Sequence, residues 1–188
     1  YRRGKQLASL DLRKCKALQG AHNHQNACAA YAAVRTLGIG PRSVEKALKS
    51  FTGLAHRSQL VTELSGVVFI NDSKATNVDS AMKALETFAK VRWICGGEQK
   101  EEDISRLNNV LTNVEKAYVI GTDAAKFSSQ ISCEFEICNT MDVAVKKAFN
   151  DAKDGETVLL APAAASFDQY SSFEERGRAF ELEIEKLV

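Results

Sequence analysis

From residue 59 onward, apolar runs of strand length recur along the chain and, after the second, are separated by stretches with helical spacing. Strand candidates fall at 59–64, 67–71, 91–96, 116–120, 134–137 and 156–161, and helix candidates at 77–89, 102–112, 123–131, 140–152 and 171–187. Strands that alternate with helices are joined by crossovers, so they run parallel and are buried on both faces. The first two runs are too close together for a crossover. They are expected to form a hairpin around Ser65-Gly66, which leaves one antiparallel strand at the edge of the sheet. The expected fold is α/β: a doubly wound, mostly parallel sheet.

In such sheets ligands gather at the carboxyl ends of the strands, so the residues that follow each run carry the functional reading. The run Val67-Val68-Phe69-Ile70 breaks into Asn71-Asp72-Ser73-Lys74-Ala75-Thr76-Asn77, which holds a carboxylate, an ammonium, two hydroxyls and two amides at the start of a helix. That mixture suits a polar ligand with anionic groups, because the helix start adds free backbone donors and a partial positive charge. It equally suits a solvated turn with an Asx cap. Gly96-Gly97-Glu98-Gln99-Lys100 follows the third run, and Lys100 can reach an anion there, although glycines also follow strands for conformational reasons. After the last run, the small residues Ala161 to Ala165 let the backbone approach a ligand, and Ser166 with Asp168 is expected to cap the next helix. No G-x-S-x-G elbow and no histidine occur in this half, which excludes a serine hydrolase. A G-x-x-x-x-G-K-[ST] loop is also absent, so the chain has no triphosphate cradle of its own.

Ahead of residue 59 the pattern differs. Residues 1–19 are basic, with Leu7, Leu10 and Leu12 as the main apolar positions, and read as one strand or two, too little to bury a core alone. A helix is expected from near Asn23 to Gly38 and a second from Pro41 to Phe51, with the domain boundary near Ser58. His22 and His24 fall on different faces of the first helix, so no metal site is expected. Asn26 can donate and accept, which suits a purine edge or a plain helix N-terminal network. Arg57 suits bidentate contact with a phosphate across an interdomain cleft, or a surface salt bridge.

A net charge of +1 with both signs interspersed argues against nucleic acid as partner, and no apolar run approaches bilayer length. The five cysteines are odd in number and include no C-x-x-C pair, so reduced thiols in a cytosolic protein are expected, with Cys28 and Cys95 as small buried hydrophobes. No signal-peptide pattern opens the chain, and its start at Tyr1 is expected to mark a piece of something longer.

Five strings together resemble the Mur ligase family, and within it the D-glutamate-adding branch. They are G-x-H-N-x-x-N at Gly20 to Asn26, T-G-L-x-H-R at Thr52 to Arg57, N-D-S-K-A-T-N at Asn71 to Asn77, G-G-x-x-K at Gly96 to Lys100, and P-A-x-A-S-F-D-Q-Y-x-x-F-x-x-R-G ending at Gly177. The resemblance spans nearly the whole chain; Ala161 and Ala164 depart from the pattern beside matched positions. It implies a Rossmann-like C-terminal domain from residue 59 to 188, preceded at 1–58 by a helical remnant of a central ATP-binding domain. It also implies a bacterial cytoplasmic enzyme, a monomer at full length, that uses ATP and Mg2+ to join D-glutamate to UDP-N-acetylmuramoyl-L-alanine through an acyl phosphate in peptidoglycan synthesis. By position, Asn26, Arg57, Asp72 and Lys74 would contact ATP, and Thr76, Lys100, Ser166 and Phe173 would hold D-glutamate. No catalytic residue and no metal ligand falls within this stretch, no cofactor would be tightly bound by it, and alone it is expected to be inactive. The alternatives are another Mur ligase, a folylpolyglutamate synthase-like amide ligase, or a non-catalytic Rossmann-like binding module.

Overall fold

Ser65 and Gly66 both take positive φ (51° and 77°), the combination a two-residue hairpin turn needs, and so return β1 (Gln59–Leu64) antiparallel onto β2 (Val67–Asn71). The remaining strands follow helical or coiled crossovers: β3 (Val91–Gly96), β4 (Val114–Ile120), β5 (Phe135–Asn139) and β6 (Thr157–Leu160). In this computed structural model, which describes residues 9–18 and 20–188, they form one six-stranded sheet in the order β1-β2-β6-β3-β4-β5. Every pairing after the first hairpin is parallel. The late strand β6 enters between β2 and β3, so the segments that follow β2, β6 and β3 leave the sheet side by side.

The sheet is covered on both faces, as its apolar runs require. Alternate residues Trp93, Cys95, Ala117, Val119 and Leu159 pack with Ala81 and Leu85 of α3 (Val78–Leu85), Phe127 of α4 (Ala124–Ser128) and Leu107 of the 3₁₀ helix Ser105–Asn113. Phe69, Ile94, Tyr118, Val158 and Leu160 face the other way, onto Ala144 and Ala148 of α5 (Met141–Asp151) and Phe180 and Ile184 of α6 (Phe173–Glu185). Trp93, the only tryptophan, is fully buried and donates from Nε1 to the Ala161 carbonyl at 2.8 Å.

The expected α/β architecture with its antiparallel edge strand is observed. One helix expectation, 102–112, is met by the tighter 3₁₀ geometry instead. Its entry is held by a local and by tertiary bonds: Asp103 Oδ1 accepts from the Ser105 N–H at 2.8 Å, the Ile104 N–H donates to Gln130 Oε1 at 3.0 Å, and Asn108 bonds the Gln130 carbonyl and the Ser132 N–H. Leu107, Val110 and Leu111 recur at spacings that either helix type can bury.

The chain divides into compact units between Gly53 and Leu54, ahead of the break near Ser58 that the sequence suggested. Residues 54–58 go with the sheet because the Lys74 N–H donates to the His56 carbonyl at 3.0 Å and the Ser58 N–H to Asp72 Oδ1 at 3.1 Å. In the first unit, α1 (Ala21–Thr36) and α2 (Pro41–Ser50) form as expected, with Pro41 in the first turn of α2. The expected strand at 1–19 is not found among the described residues. Leu12–Lys14 and Lys16–Leu18 are short 3₁₀ turns, the first started by Asp11 accepting from the Arg13 N–H; residues 1–8 and 19 lie outside the description. Cys15, Leu18 and Ala27 make the small core of this unit. Cys95 is buried as expected, whereas Cys28 is exposed.

Candidate functional site

Four segments leave the carboxyl ends of adjacent strands and are stitched to one another by hydrogen bonds of the backbone and of carboxylate side chains. After β2, the Ala75 carbonyl accepts from the Ala163 N–H of the β6 segment at 2.8 Å. After β3, the Gly96 N–H donates to the Pro162 carbonyl at 2.9 Å, and Glu98 and Ala165 exchange N–H···O bonds at 3.0 and 2.9 Å, a single rung of antiparallel pairing. The Val78 N–H, at the start of α3, is taken by Glu101 Oε1 at 3.0 Å. After β4, Asp123 accepts from the Gln99 N–H at 2.8 Å, and Asp168 of the β6 segment accepts from the Thr122 N–H at 2.9 Å. Gly97 and Gly121 make this approach possible. Both have positive φ, and a Cβ on Gly121 would collide with Gly97 and the Asp168 carboxylate.

Beneath this layer lies Arg176, 1% exposed, which sits on α6 among that helix's apolar positions. Its guanidinium makes five hydrogen bonds: Nε to Ser73 Oγ (3.1 Å), Nη1 to the Ala164 and Ala165 carbonyls (3.1 and 3.0 Å), and Nη2 to the Ser73 and Ala164 carbonyls (3.0 and 3.1 Å). Burial pulls its pKa down to about 10, partly offset by the charge of Asp168, so it stays a cation at neutral pH. A planar five-donor fork is what such a junction of carbonyls requires. Ser73 completes the joint by donating from Oγ to the Phe173 carbonyl at 2.8 Å.

The residues singled out in the sequence hang on this frame. Lys100 follows Gln99 and is exposed, its ammonium 5.5 Å from the centroid of the Phe167 ring. Ser166 is 2% exposed and directly follows Ala165, so the Glu98–Ala165 rung carries Lys100 and Ser166 on paired segments. Thr76 follows Ala75, which is bonded to Ala163, and is half-buried. Phe173 is the first residue of α6, where helix N–H groups lack intrahelical acceptors. Lys74 lays its ammonium 4.0 Å from the Phe173 ring centroid. Asp72 accepts from the Ser58 N–H and hydroxyl (3.1 and 3.5 Å); burial pushes its pKa up to about 6 against the opposing pull of those bonds and of Arg57. Arg57 is exposed and in no ion pair among the described residues. Asn26 lies in the first unit, on the rim of an apolar groove of about 400 Å³ between α1 and α2.

The family profile described as "Mur ligase, glutamate ligase domain" matches residues 56–164, more than half of the chain and most of the frame just described. The chain belongs to the Mur ligase family. It is 59% identical over 186 residues to UDP-N-acetylmuramoylalanine–D-glutamate ligase of Ruegeria pomeroyi, covering 99% of this chain and 40% of that protein. Its identity to the ligase of the same name from Roseobacter denitrificans is 58%, with coverage of 100% and 40%. The chain thus spans about two-fifths of the length of these relatives. The fold is shared with solved structures at lower identity: UDP-N-acetylmuramate-alanine ligase MurC of Thermotoga maritima (TM-score 0.64, 18% identity, 90% of this chain and 39% of that one) and MurF ligase of the same organism in complex with ADP (TM-score 0.63, 20%, 90% and 40%).

In this Mur ligase chain several organising residues escaped the sequence reading. Arg176 carried a signal, since a charged residue at Phe173+3 and Phe180−4 interrupts the apolar face of α6. His56, Asn71 and Ser73 stood in the strings that carry the family resemblance, but nothing in the sequence marked them as partners of α6. One expectation is corrected: α6 is capped by Ser172, whose Oγ accepts from the Glu175 N–H at 3.2 Å, and not by Ser166 or Asp168. Asp168 instead accepts from the Thr122 N–H at 2.9 Å.

Proposed function

We propose that the chain is the glutamate-accepting part of an ATP-dependent ligase that joins D-glutamate to UDP-N-acetylmuramoyl-L-alanine during peptidoglycan synthesis. One observation carries this reading: the segments after β2, β3 and β6 are locked together so that Thr76, Lys100 and Ser166 stand at one end of the sheet. The ligases at 59% and 58% identity bear the name of that reaction.

D-glutamate has two carboxylates and a nucleophilic amine. Lys100 offers a charge-assisted bond to one carboxylate, Thr76 and Ser166 offer hydroxyl donors, and the Phe173 N–H offers a helix-start donor. Held this way, the amine attacks the acyl phosphate formed by phosphoryl transfer from ATP, the amide bond forming as the acyl C–O bond breaks and phosphate leaves, and positioning is the whole of this domain's contribution. Asn26, Arg57, Asp72 and Lys74 are assigned to the nucleotide. Mg2+ would accompany ATP. Among the described residues no group of three or more His, Cys, Asp or Glu side chains could hold a metal ion. The same reading makes the full-length protein a bacterial cytoplasmic monomer acting on small molecules, and the 188-residue chain by itself inactive.

The test is Lys100→Ala in the full-length enzyme. A charge-assisted hydrogen bond contributes roughly 1.5–3 kcal/mol, so KM for D-glutamate should rise about tenfold to a hundredfold while KM for ATP moves less than about twofold. Ser166→Ala should act on the same substrate by a smaller factor, since a neutral donor contributes about 0.5–1.5 kcal/mol. Equal losses for both substrates on Lys100→Ala would overturn the assignment.

A further inference from the structure

We propose that His56 is a positioning residue for the nucleotide step, one that fixes the turn carrying Arg57. The proposal rests on the reading that Arg57 contacts the nucleotide. His56 is 6% exposed although Ala55 and Arg57 on either side of it are exposed. Its imidazole lodges in a recess made by the end of β2 and one face of α6. Nδ1 lies 3.0 Å from Asn71 Nδ2 and 3.7 Å from Glu181 Oε1, and the ring meets Phe173 edge-on at 6.4 Å between centroids. The recess exists because residue 177 is glycine, where a Cβ would overlap the imidazole. Asn71 closes it, donating from Nδ2 to the Gly177 carbonyl (3.0 Å) and to Glu181 Oε1 (2.8 Å).

The backbone around this plug is tied down equally. The His56 N–H donates to Gln59 Oε1 at 2.7 Å, its carbonyl accepts from the Lys74 N–H at 3.0 Å, and the Arg57 N–H closes a turn on the Leu54 carbonyl at 3.2 Å. His56 and Ser58 both have positive φ (60° and 43°), a costly conformation for non-glycine residues that persists only where the surroundings over-determine it. Arg57, between them, is exposed and long. Its reach is therefore directed by a backbone held from both sides, with the His56 ring as the wedge.

The test is a set of double-mutant cycles in the full-length ligase, reading KM for ATP. Arg57→Ala should raise it about tenfold or more, the loss of a charge-assisted bond. His56→Ala should raise it about fivefold, and the His56→Ala, Arg57→Ala double variant should be no worse than Arg57→Ala within about twofold, because His56 acts through Arg57. Gly177→Ala, which would expel the ring, should raise KM for ATP when His56 is present and add nothing when it is Ala. If His56→Ala is not recovered folded, Gly177→Ala against Arg57→Ala supplies the same cycle. Multiplicative effects of His56→Ala and Arg57→Ala would overturn the positioning role while leaving the nucleotide assignment standing. An unchanged KM for ATP on Arg57→Ala would instead remove that assignment, and this inference with it.

Discussion

Arg176→Lys keeps the charge and most of the aliphatic stem, so it isolates the guanidinium fork. The wild-type side chain makes five hydrogen bonds to oxygens of Ser73, Ala164 and Ala165. An ammonium has three donors radiating from one atom and cannot span acceptors that lie on both sides of a planar group. Two or more bonds are lost, and the freed carbonyls are buried; at about 1–1.5 kcal/mol for each such loss the cost is roughly 2–4 kcal/mol. With a urea m-value of about 1–3 kcal/mol/M, the unfolding midpoint should fall by about 1–2 M. Trp93 is the only tryptophan and lies fully buried in β3, so its fluorescence reports unfolding of the sheet unit without contribution from α1 or α2. A midpoint lowered by less than about 0.3 M would mean that the carbonyls find other donors and that the junction does not depend on the fork.

Asp72→Asn gives a pH test. Burial raises the Asp72 pKa from the ordinary 3.8 to about 6, so the folded state holds this proton more tightly than the unfolded chain does. The associated stability is fully present below pH 3.8 and is lost as pH rises through about 6. Asn mimics the protonated form and lacks this loss. The stability of Asp72→Asn relative to wild type, followed by Trp93 fluorescence in urea, should therefore increase by about 1–2 kcal/mol between pH 4 and 7.5, somewhat below the full linkage value because Asp72 keeps some contact with water. A difference that stays flat with pH would refute the shift. Gly121→Ala places a Cβ against Gly97 and Asp168 at a positive φ, and should lower stability in the same assay by about 2 kcal/mol or more; a neutral result would show that the β3 and β4 segments can separate without cost.

The strands and their order of direction were legible because burial writes itself locally. A strand covered on both faces must be apolar throughout, as Val91 to Cys95 nearly is, and two such runs separated only by Ser65-Gly66 have room for nothing but a hairpin. The loops after β2 and β3 were legible because polar residues or glycines interrupt an apolar run, the one after β6 because its small residues end the run of large ones, and the family resemblance drew much of its signal from those loops. The tertiary structure alone decided how the loops are held. Arg176 meets Ser73 across 103 positions, and Asn71 meets the Gly177 carbonyl across 106. Nothing in the neighbourhood of either residue in sequence specifies the other, because the bond depends on β6 and α6 having packed beside β2. The start of the 3₁₀ helix at 105–113 likewise depends on a distant residue, Gln130, whose side chain accepts from the Ile104 N–H across 26 positions. The first of the two short turns where a strand was expected is started by Asp11 bonding the Arg13 N–H, a local side-chain bond that competes with extended structure. Periodicity fixes which face of an element is buried; which buried polar group answers another is settled only when distant elements meet, since each must find a partner once water is excluded.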